Sequence, residues 1–163
     1  MAARFDHWRA APAGLAAFRS LQTYVDSCGL DHRLMELVKI RASQLNGCAY
    51  CLDMHTKDAR ADGETEQRLY ALSAWKETPF YTERERAALA WTEAVTRIAP
   101  EQVDDQRYQA LCAHFSEKEI VDLTLVIIVI NGWNRLSVSF RTPPGTYQPA
   151  SVRPKAAGSA AAV

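Results

Sequence analysis

The chain has 163 residues, 48% of them hydrophobic, and its 19 basic and 19 acidic side chains cancel to a formal net charge of zero. That length supports one sizeable core and gives no sign of a second domain. The balanced charge, without a basic stripe or single-sign block, argues against nucleic acid and anionic membrane and in favour of proteins and small molecules as partners.

The pattern along the chain predicts an all-α fold. Residues 13–27 read as a helix that stops at Cys28-Gly29, and Asp31 caps the next, which carries Leu34, Leu37, Val38 and Leu45 on one side. Asn46-Gly47 stops that helix, and another starts near Cys48 and runs towards Gly63. A helix over about 65–75 follows, before Pro79. Thr82 to Glu85 form a capping box that opens a helix to about residue 98, closed by Pro100. Asp104 or Asp105 starts a helix to about residue 115, and a second capping box, Ser116 to Glu119, opens a long one towards residue 141. Pro143, Pro144, Pro149 and Pro154 then lead into an Ala-rich end without helical periodicity.

Two further features bear on location. The longest apolar run, 120–130, contains Asp122 and Thr124 and is too short to span a bilayer. Near the start, Asp6 and His7 interrupt any apolar segment of the signal-peptide kind, so the expected location is the cytoplasm. Thiols there are kept reduced, and a disulfide is more readily a catalytic intermediate than a staple.

Chemistry concentrates in residues 36–55, which gather Glu36, the pair Cys48-x-x-Cys51 and His55. At about 100° per residue, Cys48, Cys51 and His55 fall within a stripe of roughly 60° on one helix. A cysteine in the first turn meets unpaired N–H groups and the positive end of the helix dipole, both of which favour thiolate. These are the parts of a thiol redox centre. Zinc is an alternative, with His55 as third ligand, but no second C-x-x-C or H-x(3–5)-H closes the site, and Cys112 with His114 has an atypical spacing. Two inert buried cysteines are the plainest alternative. A thioredoxin-type centre needs a strand before the motif, where this chain reads helical.

The segment LVKIRASQLNGCAYCLDMHTKDAR (37–60), together with ERAALAWTEAVT (85–96), resembles the alkylhydroperoxidase D-like (AhpD-like) branch of the carboxymuconolactone decarboxylase family over about residues 10–140. Glu36, Cys48, Cys51 and His55 match that family's motif without an insertion. The resemblance implies a helical bundle over 1–142 and a tail over 143–163 that is flexible or an arm laid on a neighbour. It also implies a peroxidase in which Cys51 attacks a hydroperoxide, Cys48 resolves the sulfenic acid as a disulfide, His55 polarises the thiol or protonates the leaving group, and Glu36 moves the proton. No metal or flavin is required, the reductant is a dithiol or lipoylated protein, and the chain forms trimers or hexamers. One position departs: Tyr50 stands where the best-studied members carry a histidine, so Tyr50, His55 or water must complete any relay. A lactone decarboxylase, which gives the cysteines no task, and a non-enzymatic redox sensor are the rival readings.

Other residues are read more plainly. On an isolated helix Glu36 would face water; covered on that side, it would be a buried acid with a raised pKa. Lys39 reads as a surface cation or a partner for Glu36. Arg41 projects into the apolar side, with Asp122 as one possible partner. Cys28 and Cys112 read as small buried hydrophobes, and His7, His32 and His114 as satisfied or solvated imidazoles. Trp75, Trp91 and Trp133 read as core, and Asn131, Asn134 and Arg135 as hydrogen-bonded packing. Residues 120–130 are apolar on every side, which requires burial on several sides and favours a subunit contact.

Overall fold

The computed structural model describes residues 2–149, and every regular element among them is helical: α1 His7–Ala10, α2 Pro12–Asp26, α3 His32–Asn46, α4 Ala49–Ala61, α5 Glu66–Ala71, α6 Glu83–Thr96, α7 Ile98–Glu101, α8 Asp105–Cys112 and α9 Glu117–Phe140, with a 3-10 helix Leu72–Glu77 after α5. The caps are those the sequence predicts. Asp31 accepts from the Leu34 N–H, and Thr82 and Ser116 each close a full capping box. Gly47 sits at φ 65° after α3, a left-handed position that glycine reaches without a Cβ clash.

Helix α3 is the axis of the fold. It packs against α4 on one side, α6 on another and α9 on a third. It feeds three hydrophobic clusters: Leu34 and Val38 with Trp91, Leu111, Leu123 and Ile127; Leu37 and Ile40 with Leu72, Trp75 and Leu89; and Ala42 with Cys48, Cys51 and Ile130. Wrapping on every side explains why a helix with only one apolar stripe buries Glu36, Lys39 and Ser43 as well, while Leu45 stays half-buried.

Helix α9, with mean hydropathy 1.4, is long and apolar enough by composition to cross a membrane. In this fold it packs against α2, α3, α4, α6 and α8 and carries buried Asp122, Asn131, Asn134 and Ser137, each with a partner inside the protein. Its burial is uneven: Leu123, Val126, Ile127 and Ile130 are buried, whereas Val121, Ile128 and Val138 are about half exposed. Gly132 lies under the Phe18 ring of α2, and a Cβ there would collide with it.

Several expectations are corrected. The helix over 65–75 is α5 followed by the tighter 3-10 segment, with a kink at Ala74 and with Leu72 and Trp75 buried. Pro100 does not close α6. That helix ends at Thr96, and Pro100 lies in the one turn of α7, where the amide it lacks would have no helical partner. The short α1 was not anticipated, and α8 stops at Cys112, which is exposed rather than buried. Arg41 pairs with Glu93 at 2.7 Å, because that side of α3 faces α6; Asp122 turns instead to Lys118 and Tyr24.

The tail expectation changes too. Over 143–149 the chain lies on its own α4: the Gly145 N–H donates to Asp53, Lys57 Nζ donates to the Tyr147 carbonyl, and the Tyr147 hydroxyl donates to Asp58 at 2.7 Å. The remainder of the tail, 150–163, lies outside the described residues.

Candidate active site

Gly47 turns the chain from α3 into α4, which puts Cys48 at the N-cap and Cys51 in the first turn. The Cys51 N–H donates to Cys48 Sγ at 3.4 Å, so the sulfur takes the place that a serine or aspartate oxygen fills in most caps. Both cysteines are free thiols, 1% exposed, above Ile130 of α9. From α9, Ser137 Oγ lies 4.0 Å from Cys51 Sγ, and Asn134 Nδ2 donates to Ser43 Oγ at 3.0 Å.

The two sulfurs titrate as a pair. The hydrogen bond from Cys51, and then its backbone N–H, pull the Cys48 thiol down to about 6 against the effect of burial. The proton that Cys48 gives up stays with its neighbour: the bond to Cys48, burial and the adjacent charge all push Cys51 up. The mutual bond thus favours a thiolate within the pair. Access runs the other way, since Cys51 lines the pocket and Cys48 is not among its lining residues.

One turn along α4, His55 Nδ1 is 2.9 Å from Glu36 Oε2, and Lys39 Nζ donates to Glu36 Oε1 at 3.0 Å. Here the expected pKa direction is reversed. Burial pushes the Glu36 carboxyl up, but hydrogen bonds and charges from His55 and Lys39 outweigh it and hold the group at about 2. An ionised carboxylate only accepts, so Nδ1 of His55 carries the proton and Nε2 is the atom left for exchange. The acid orients the imidazole instead of storing a proton.

The motif residues Glu36, Cys48, Cys51 and His55 are therefore brought together, and Tyr50, half-buried, lines the same pocket beside Cys51. Sequence reasoning missed several neighbours, Ser137 beside Cys51 among them. His32 Nδ1 lies 2.6 Å from Asp62 and Nε2 lies 3.9 Å from Glu36, an i,i+4 relation that was readable from α3. Asp58 follows His55 by three residues on α4. Trp8 and Tyr147 reach the pocket from α1 and the tail, and no local pattern marks them. Trp133, read as core, also lines it. Among the described residues, Glu36, His55 and Asp58 have ligand atoms within 4.8 Å of one another, close enough for a cation. Lys39 on Glu36 and the Tyr147 hydroxyl on Asp58 compete with that use, and the set does not include the cysteines that the zinc alternative invoked.

Known proteins share this arrangement of helices. The carboxymuconolactone decarboxylase family matches residues 9–94, just over half of the chain. The Bacillus subtilis protein named "Uncharacterized protein YdfG" is 44% identical over 139 residues, 85% of this chain and 95% of its own length. A solved Agrobacterium tumefaciens structure, of a protein of unknown function that bears the name of the antioxidant defence protein AhpD, is 46% identical, with TM-score 0.86 over 90% of this chain and all of that one. The structure of a peroxidase-related protein from Ralstonia eutropha, described as an alkylhydroperoxidase AhpD core, has TM-score 0.73 over 85% of this chain and 74% of its own, and at 20% identity it attests the fold alone. With the bundle, the motif spacing and these relatives in agreement, the chain belongs to the carboxymuconolactone decarboxylase family, as an AhpD-like member.

Proposed function

We propose that the protein is a thiol-dependent peroxidase that reduces hydroperoxides through a disulfide between Cys48 and Cys51. The observation that carries the reading is a pair of free thiols at a helix N-terminus, with Cys51 lining one pocket together with a His55 that Glu36 orients. His55 Nε2 takes the Cys51 proton, leaving Cys51 a thiolate beside the Cys48 thiolate. The Cys51 thiolate attacks the peroxide: an S–O bond forms, the O–O bond breaks, and the alkoxide leaves as alcohol with the proton from His55. The Cys48 thiolate then attacks the sulfenic sulfur, forming the S–S bond and expelling hydroxide, which takes a proton from solvent and leaves as water. Two electrons pass from the thiols to the peroxide, and an external dithiol, a lipoylated protein or a small carrier of that class, restores them.

Glu36 keeps His55 in the productive tautomer, and Tyr50 supports proton exchange at the pocket. Peroxide consumption with a dithiol reductant, run on wild type and Cys51→Ser, tests this. Mass spectrometry of the alkylated protein should find a Cys48–Cys51 disulfide, and in Cys48→Ser a sulfenic acid or mixed disulfide on Cys51. A Cys51 thiol that survives excess peroxide while another cysteine oxidises overturns the roles. Stoichiometric zinc that is lost in Cys48→Ser overturns the redox reading.

The same reading includes a homo-oligomer, trimer or hexamer, supported by the exposed Val121, Ile128 and Val138 on the long apolar helix α9. Light scattering at micromolar concentration decides it, and a mass near the 18.2 kDa of one chain overturns it.

A further inference from the structure

We propose that the C-terminal segment 142–149 is the specificity-determining wall of the thiol pocket, with Tyr147 fitting the pocket to hydroperoxides that carry a bulky apolar body. The inference rests on the peroxidase reading and deepens it.

The pocket has a volume of about 470 Å³, the size of sites that enclose small organic ligands and far more than hydrogen peroxide occupies. Its floor is polar and reactive: Cys51, His55 and Glu36. Its sides are different. One is aromatic and braced, with Trp8 stacked on Trp133 at 5.5 Å, Phe18 edge-on to Trp133 at 4.6 Å, and the Trp133 Nε1–H fixed to Gln22 at 2.9 Å. The tail supplies another side through Thr142, Tyr147 and Pro149. Anchoring there is specific: Gly145 N to Asp53 at 3.0 Å, Lys57 to the Tyr147 carbonyl at 3.0 Å, and the Tyr147 hydroxyl to Asp58 at 2.7 Å. Because that hydroxyl is engaged, the part of Tyr147 left to meet a ligand is its ring. Trp8, Trp133 and Tyr147 all line the pocket that holds Cys51, so a flat or branched hydrocarbon body has aromatic rings to meet while its –OOH end reaches Cys51. Hydrogen peroxide touches only the floor, so a change in the wall must separate the two substrates.

The test compares cumene hydroperoxide with hydrogen peroxide in wild type, Tyr147→Ala and Tyr147→Phe. In Tyr147→Ala, KM for cumene hydroperoxide should rise about tenfold, with kcat and the hydrogen peroxide constants within about twofold of wild type. Tyr147→Phe keeps the ring and loses only the Asp58 anchor, so its rise should be smaller. Equal losses for both peroxides, or an unchanged KM for cumene hydroperoxide, overturn the proposal. A second readout needs no turnover: binding of 2-phenyl-2-propanol, the alcohol product, followed by quenching of the pocket tryptophans. Binding about tenfold weaker in Tyr147→Ala, with neither peroxide consumed by wild type, supports the wall and sinks the peroxidase reading instead. Equal binding by wild type and Tyr147→Ala sinks the wall.

Discussion

Among the described residues two glutamates are buried on packed helices, and their surroundings differ in kind. Glu93 of α6 is closed off by four donor atoms: Arg41 Nε and a terminal guanidinium nitrogen at 2.9 and 2.7 Å, Trp75 Nε1 at 2.8 Å and Lys76 Nζ at 2.8 Å. Glu36 of α3 has Lys39 on one oxygen and His55 on the other. In both, burial pushes the carboxyl up and the donors push it down further than that. Neither burial nor a depressed pKa therefore marks a functional acid. The difference is the partner. Every donor on Glu93 is a guanidinium, indole or ammonium group, and the cluster ties α3, α6 and the 3-10 segment together. One donor on Glu36 is an imidazole, whose Nε2 is left for proton exchange one turn from a thiol.

The largest effect should come from removing the chemistry that distinguishes the two clusters. Cys51→Ser should lower dithiol-dependent peroxide turnover on the order of a thousandfold or more while melting like wild type. Retained turnover would take the thiols out of the comparison. Next, Glu36→Gln and Glu93→Gln should each lower unfolding free energy by about 3 kcal/mol in urea titrations, because each leaves buried or half-buried cations unpaired. Only Glu36→Gln should also lose turnover, roughly 10–100-fold, and more than Tyr50→Phe does. Equal losses of turnover in the two glutamate variants would erase the distinction.

The acid side sharpens it further. The Glu36 carboxyl falls from 4.5 unfolded to about 2 folded, so its stabilisation is complete above pH about 4.5 and vanishes as pH drops towards 2. Wild type should lose stability more steeply than Glu36→Gln across that window. Thiol reactivity should follow the other titration, with iodoacetamide labelling of the pair rising through pH about 6 in wild type and in Glu93→Gln alike. A midpoint near that of a free cysteine would remove the activated pair. The smallest effect belongs to a site that touches neither cluster: Gly132→Ala must push Phe18 aside, and should cost about 1–2 kcal/mol with hydrogen peroxide turnover in the folded protein unchanged.

The sequence by itself determined the helices with strong local signals and the axial order of the motif. Capping boxes at Thr82 and Ser116, the Asp31 cap and the Gly47 stop are written in neighbouring residues, because a helix end is satisfied by groups within one turn of it. The spacing of Cys48, Cys51 and His55 is likewise a property of one helix. Only the tertiary structure decided what covers a face. Glu36 looked solvent-facing on an isolated α3, and burial by α4 turned it into an ionised anchor for His55. Arg41 was matched to Asp122 by apolar setting alone, whereas helix packing delivered Glu93 from 52 residues away. Tyr147 and Trp8 reach the pocket across similarly long separations, and Tyr147 arrives on a proline-flanked segment with no period to read. Such pairings are set by how whole helices pack, which a local pattern does not encode.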